Sequence, residues 1–296
     1  MRPLAEFIMR GRMQAALVVV GATALPLLFW LGAAAGALVL LRRGLSDALG
    51  VVAWGLLPAL AWWYFGEPRA LLVLLGTLAL AVVLRATTSW TRVLLASVAV
   101  GVLYGVTLDA VFQEPIQALA KELQALLPQV LQGVQELSAE EQARLHSLLV
   151  PVLTGLLASL LQAGSLLALA LGRWWQATLY NPGGFAREIH EMRLPPAPMA
   201  LLLAGMLLGP NLGVQLAMLT PLCSVPLAFA GAALLHGLVA QGRLARFWLV
   251  GLYVSLLIFM QLVYPLLVVL AIVDSLIDFR GRSARNNGAG PANGEG

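Results

Sequence analysis

The chain has 296 residues, 60% of them hydrophobic and only 11% charged, with a mean hydropathy of +0.87 and a formal net charge of +4. A soluble domain needs about one quarter charged residues to cover its exterior, so a water-soluble globular fold is excluded. Every basic residue except Lys121 is an arginine. None of the basic clusters is interleaved with aromatics as a nucleic-acid groove requires, so the positive balance marks the ends of membrane segments.

The expected fold is all-α, a polytopic transmembrane bundle of about eight spans. No Lys, Arg, Asp or Glu occurs in 13–41 or in 194–242. A helical span needs about 20 apolar residues at about 1.5 Å each. On that ruler the apolar slabs are roughly 14–41, 46–65, 70–84, 93–112, 147–172, 199–217, 219–240 and 247–273. Residues 1–280 form one transmembrane helical domain on this reading. The Gly-, Asn- and Ala-rich residues 281–296 are expected to be a disordered tail. The N-terminal Arg2, Arg10 and Arg12 precede an apolar run without a cleavage site, which predicts a retained membrane segment.

Eight simple spans place nine basic residues on each side, a tie that the positive-inside rule does not expect. A hairpin in the first slab, turning near Leu25-Pro26, converts the tie to twelve against six. Its first arm would be a helix from about Phe7 to Ala24, with Arg10 and Arg12 reaching to the interface. The 199–217 slab, interrupted by Gly209-Pro210-Asn211, is the expected site of a second re-entrant segment that would bring the C-terminal Arg280, Arg282 and Arg285 to the arginine-rich side. Gly32 and Gly36 form a GxxxG pair suited to close helix packing.

Segment 113–146 is extramembrane and amphipathic. Ile116, Leu119, Ala120, Leu123, Leu127, Val130, Val134 and Leu137 recur at three- and four-residue spacing. Pro128 divides that helix, and Ser138 with Glu141 spells a capping box that opens the next one. Such a helix could lie on the outer leaflet, dock a partner, or pack across the outer mouth of the bundle. The last is the expected role, because basic residues are scarce on its polar face. The band 173–198 reads as an interfacial linker. Trp174, Trp175 and Tyr180 form its aromatic belt, Asn181-Pro182-Gly183-Gly184 a turn, and a short surface helix runs from Phe185 to Pro195-Pro196.

Enzyme chemistry is not expected. Leu194 stands where the second histidine of an HExxH helix would follow His190-Glu191, and Gly209 to Gly213 lacks a phosphate-binding lysine. His146, His190 and His236 lie in separate regions and Cys223 is the lone cysteine, so neither a metal site nor a cofactor is expected. Polar residues inside apolar slabs are the better leads, because lipid makes an unpartnered polar group costly. Tyr104, Thr107, Asp109 and Ser165 are among them. The candidate ligand-binding set is Gln162, Asn211, Gln215, His236, Gln261 and Tyr264. Hydrogen bonding between helices is the competing explanation for each.

Three stretches resemble the YybS-like family of bacterial membrane proteins: the Pro-interrupted opening slab ending in LRRG at 41–44, WWQATLYNPGGF at 174–185 after the outer helical segment, and AIVDSLIDFRGR at 271–282, with Asp274, Asp278 and Arg280. The resemblance implies a distant kinship with the S components of energy-coupling-factor importers. Those are small inner-membrane bundles that hold a solute near the outer face, under a loop after the first span. They work with a transducing subunit and paired ATPases. The implied role is a solute-binding or transport subunit surrounded by membrane lipid, with no nucleic-acid partner. A membrane scaffold or assembly factor acting through band 173–198 is the alternative.

Overall fold

The computed structural model describes residues 1–130 and 138–277, with side chains to Leu126 in the first stretch. The expected apolar positions Leu127, Val130, Val134 and Leu137, the side chain of Pro128, and Asp278 with everything after it lie outside that description. All regular structure among the described residues is helical. The order is α1 (Arg2–Arg10), α2 (Arg12–Ala24), α3 (Phe29–Arg43), α4 (Leu45–Tyr64), α5 (Arg69–Thr87), α6 (Trp90–Val111), α7 (Gln113–Val130), α8 (Ala139–Tyr180), α9 (Gly184–Glu191), α10 (Pro196–Leu212), a 3-10 turn (Val214–Met218), α11 (Leu219–Ala240), α12 (Phe247–Ile258) and α13 (Met260–Ile277).

Among the described residues six segments are long and apolar enough to cross a membrane: α4, α5, α6, α8, the 3-10 turn with α11, and α13. A seventh arises if α9 and α10, bent by 69° at their junction, count as one broken span. The chain is thus a multi-pass membrane protein, with six or seven spans among the described residues rather than eight. The shortfall has two local causes. The first slab is split into the short helices α2 and α3, and the 199–217 slab yields α10, whose 17 residues count only when joined to α9 as a bent pair.

By its contacts the chain divides into two compact units, Met1–Phe185 with Leu203–Val225 and Ala186–Leu202 with Pro226–Gly296. In the first unit, α2 and α3 form the hairpin expected around Pro26. A Cβ on Gly32 would meet the backbone oxygen of Val19 at 3.0 Å, whereas Gly36 faces Val52 on α4 and Leu78 on α5. Both glycines of the GxxxG pair therefore point into the unit. The expected continuous helix from Phe7 to Ala24 is interrupted at Gly11, whose backbone is extended, and α1 is a separate amphipathic piece with Ala5 and Ile8 buried.

Arginines close the end of this unit where α1, α3 and α5 terminate. The last carbonyls of a helix have no partner within it, and lipid supplies none. Arg85 donates to Leu40 O and Gln176 to Leu41 O at 3.2 Å, both at the end of α3. Arg43 donates to Met9 O at 2.6 Å at the end of α1, and Arg12 pairs with Asp47 across α2 and α4. Arg42 lies over the Tyr180 ring at 4.1 Å, an attraction to the ring's negative face. These residues combine membrane-side charge with helix capping.

At the other end α7 packs on α6 and α8. Ile116 and Ala120 are buried in one cluster with Leu72, Tyr104, Leu108 and Leu153, and Leu123 packs against it. Leu119 is exposed, so the buried face is narrower than the periodicity suggests. Helical backbone continues through Pro128 to Val130. The Ser138–Glu141 capping box forms as expected and starts α8. That helix then runs 42 residues to Tyr180, consuming the first part of band 173–198. Trp175 is fully buried, and its indole N–H has no hydrogen-bond partner. It is a packing residue rather than part of an interfacial belt, because α8 continues past the expected membrane boundary and keeps its inner face in the core.

Within the second unit α11 is met by both C-terminal helices. Tyr253 of α12 has its hydroxyl 3.3 Å from His236 Nε2, and Gly231 lies directly against the Leu267 backbone of α13. Arg193, between α9 and α10, donates to the carbonyls of Asp274 at 3.0 Å and Ser275 at 3.2 Å, with the Asp274 carboxylate 3.9 Å away. The last described turn of α13 is thereby tied to the α9–α10 linker. Gly209-Pro210-Asn211 does not interrupt α10, since Pro210 sits in its last turn and the break falls at Gly213. The sharp bend in this part of the chain, of 69°, falls before α10, between Glu191 and Pro196.

Candidate functional site

Two features of the first unit gather chemically distinctive side chains: a buried polar cluster between α5, α6 and α8, and a surface cleft between the α2–α3 turn and the start of α5.

The buried cluster starts from Tyr104 on α6. Its Oη is 2.8 Å from Leu72 O, to which it donates, and 2.8 Å from Ser165 Oγ on α8. Ser165 Oγ is also 2.9 Å from Leu161 O, so two hydroxyl protons serve three contacts. Thr77 on α5 donates to Ser165 O at 3.4 Å. Lower on the same interface, Gln162 Nε2 donates to Ser97 Oγ at 2.9 Å, and Ser97 donates to Leu94 O at 2.7 Å. Gln162 is fully buried and its Oε1 has no partner. The cluster is close-packed, with Gly76 against Tyr104 and Gly101 against Gln162 and Leu222. Its chemistry is that of interhelical hydrogen bonds, each contributing on the order of 1 kcal/mol in a membrane.

The cleft is built by two tight turns. The α2–α3 turn places Pro26 and Phe29 on one wall, and Trp30 braces it by donating to Leu27 O at 2.8 Å. The α4–α5 connection is a Schellman motif. Glu67 N donates to Trp62 O at 2.9 Å and Gly66 N to Trp63 O at 3.0 Å. Gly66 has φ +85, a left-handed conformation that costs glycine little. Trp62 forms the second wall and donates its indole N–H to Ala24 O at 3.3 Å, joining the two turns. Ala70 lies at the base. Glu67 and Arg69 stand at the edge, with Arg69 Nε and Nη2 at 2.8 and 2.6 Å from the same carboxylate oxygen, Oε2. The cleft is open on one side and has a volume of about 190 Å³.

The six candidate residues named from sequence occupy different surroundings. In the first unit Gln162 belongs to the buried cluster. Asn211 is exposed at the end of α10, where it accepts from Arg144 at 2.5 Å, and Gln215 is exposed on the 3-10 turn. In the second unit His236 is half-buried, bonded through Nδ1 to Ala232 O at 3.0 Å and facing Tyr253. Tyr264 is half-buried and Gln261 exposed. None of the six lines the cleft. Its signal was nonetheless present in the sequence, as the aromatic run Trp62 to Phe65 followed at once by Gly66-Glu67-Pro68-Arg69. In the sequence that stretch is only the polar interval between the slabs 46–65 and 70–84. No family model, curated protein or solved structure matches the chain.

Proposed function

We propose that this chain is a non-enzymatic protein of a bacterial inner membrane that binds a small solute at the end of its first unit, as an S-component-like subunit of an importer would. The observation that carries the reading is the cleft at the turn of the first hairpin. It combines aromatic walls with a charged edge, as small-molecule sites do. Its position next to the turn of the first hairpin supports the reading, since the resemblance to S components implies a pocket near the outer face, under a loop after the first span. Transducer and ATPase subunits would be the partners of such a role.

The orientation we propose puts the arginine-capped end of the first unit in the cytoplasm and the cleft outside. Arg193 holds the last turn of α13, which supports a cytoplasmic exit of the chain beyond Ile277. Only Arg69, Lys121 and Arg144 are then outside, against fifteen basic residues inside. With Cys223 replaced by alanine, single cysteines at the exposed Phe65 and at Ala292 are expected to react with an impermeant maleimide from opposite faces of the membrane, the first in right-side-out vesicles and the second in inverted ones. Labelling of both from the same face would overturn this orientation.

The binding reading is tested by thermal unfolding of the purified full chain in detergent against a panel of vitamins and metabolites. A genuine ligand at about 100 times its Kd stabilises by about 2.7 kcal/mol, a readily measured rise in Tm. Trp62→Ala and Phe29→Ala should abolish that rise while leaving the ligand-free Tm within a few degrees. A panel without any stabilising solute, or a rise indifferent to both substitutions, would count against the reading.

A further inference from the structure

We infer that the cleft takes a zwitterionic group, an anion and an ammonium carried on one small head; this rests on the reading of the cleft as a binding site. Size sets the first limit. The cleft, of about 190 Å³ and open on one side, has room for a compact head and leaves the rest of a larger molecule outside it.

Charge sets the second limit. Glu67 and Arg69 meet through a single carboxylate oxygen, and both side chains are about half exposed, at 45% and 56%. The second oxygen of Glu67 and the Nη1 of Arg69 remain for another pair of charges. An anion alone would be drawn to Arg69 and repelled by Glu67, and a cation alone would meet the reverse. A zwitterion satisfies both, adding two attractions and no repulsion, so selectivity arises from the mismatch of singly charged competitors. The aromatic walls favour the same class, because the faces of Trp62 and Phe29 attract an ammonium, most strongly once it is partly desolvated.

The same chemistry exists in free zwitterions and in the headgroups of zwitterionic phospholipids, and two arms separate them. In the first, the full chain in a maltoside detergent is titrated with phosphocholine and glycine betaine, and in parallel with acetate and choline, following Tm and tryptophan fluorescence. In the second, Tm is compared in nanodiscs of phosphatidylcholine and of phosphatidylglycerol. The expected result is stabilisation by the zwitterions in at least one arm, with an apparent affinity lowered about tenfold or more by either Arg69→Gln or Glu67→Gln. If acetate, choline or a neutral solute stabilises equally well and Trp62→Ala removes the effect, the zwitterion assignment is wrong while the cleft remains a binding site. If the zwitterions do nothing in both arms yet a solute from the metabolite panel binds through Trp62, the assignment again falls alone. Silence in both arms and across the panel removes the binding reading along with it.

Discussion

Alanine at Gly76 is expected to destabilise the first unit by about 3 kcal/mol, the upper end of what overpacking costs. An added Cβ would overlap the Tyr104 hydroxyl, approach its Cζ to 2.6 Å and reach Val100 Cγ1 at 2.9 Å. The tyrosine cannot move away cheaply. Its hydroxyl is fixed between Leu72 O and Ser165 Oγ, and its ring lies in the cluster covered by α7. In lipid, packing and interhelical hydrogen bonds replace the hydrophobic effect as the force that joins helices, so the overlap strikes the main source of cohesion between α5 and α6. Tyr104→Phe alone should cost about 1 kcal/mol, the usual net value of the lost bonds. Combined with Gly76→Ala it should cost less than the sum, because the most crowded atom is gone. A coupling of about 1 kcal/mol or more is expected from a double-mutant cycle of unfolding in mixed micelles. Strict additivity would mean that the Gly76–Tyr104 contact does not exist in the folded protein.

The contact illustrates what the amino-acid order revealed and what it concealed. Charge is a one-dimensional marker of membrane depth, and at Arg10, Arg43, Arg69 and Arg85 a helix ends or begins within a turn. The first slab folds back at Pro26, as the arginine count required, and its arms are joined by a four-residue turn. Ser138 and Glu141 cap α8, and Ile116 and Ala120 carry α7 onto the bundle, because capping and amphipathic spacing are local properties. Pairing between helices in lipid is not local in that sense. It depends on which small residue meets which backbone, and a chain with 29 glycines offers many equivalent choices. The GxxxG at Gly32 and Gly36 was visible, whereas Gly76 and Gly231, with closer approaches, carry no motif. Trp175 was placed at an interface for a related reason. Polar neighbours such as Arg173 and Gln176 suggested a boundary, yet those two bond to each other, and Gln176 bonds to α3, while the indole turns inward. The cleft escaped because its walls come from two turns that only the hairpin brings together.

Two glycines of the second unit should respond to the same substitution with opposite signs. Gly231 on α11 lies against α13 so closely that a Cβ would overlap the Leu267 carbonyl oxygen and stand 2.7 Å from its carbon and 3.0 Å from Cα. Side chains can rotate out of such a collision; a helix backbone cannot. Alanine there must push α13 away from α11, weakening the Tyr253–His236 and Arg193–Asp274 contacts made at the same helices. A loss of about 3 kcal/mol is expected, large against the net stability of a typical domain, about 5–15 kcal/mol. Gly251 on α12 has nothing within 4 Å of the same position. There alanine adds no collision and lowers the entropy cost of the helix, so stability should be unchanged or rise by up to about 1 kcal/mol. Thermal unfolding of the two single variants beside the parent reads both effects. A Gly231→Ala protein as stable as Gly251→Ala would show that α11 and α13 are not in backbone contact.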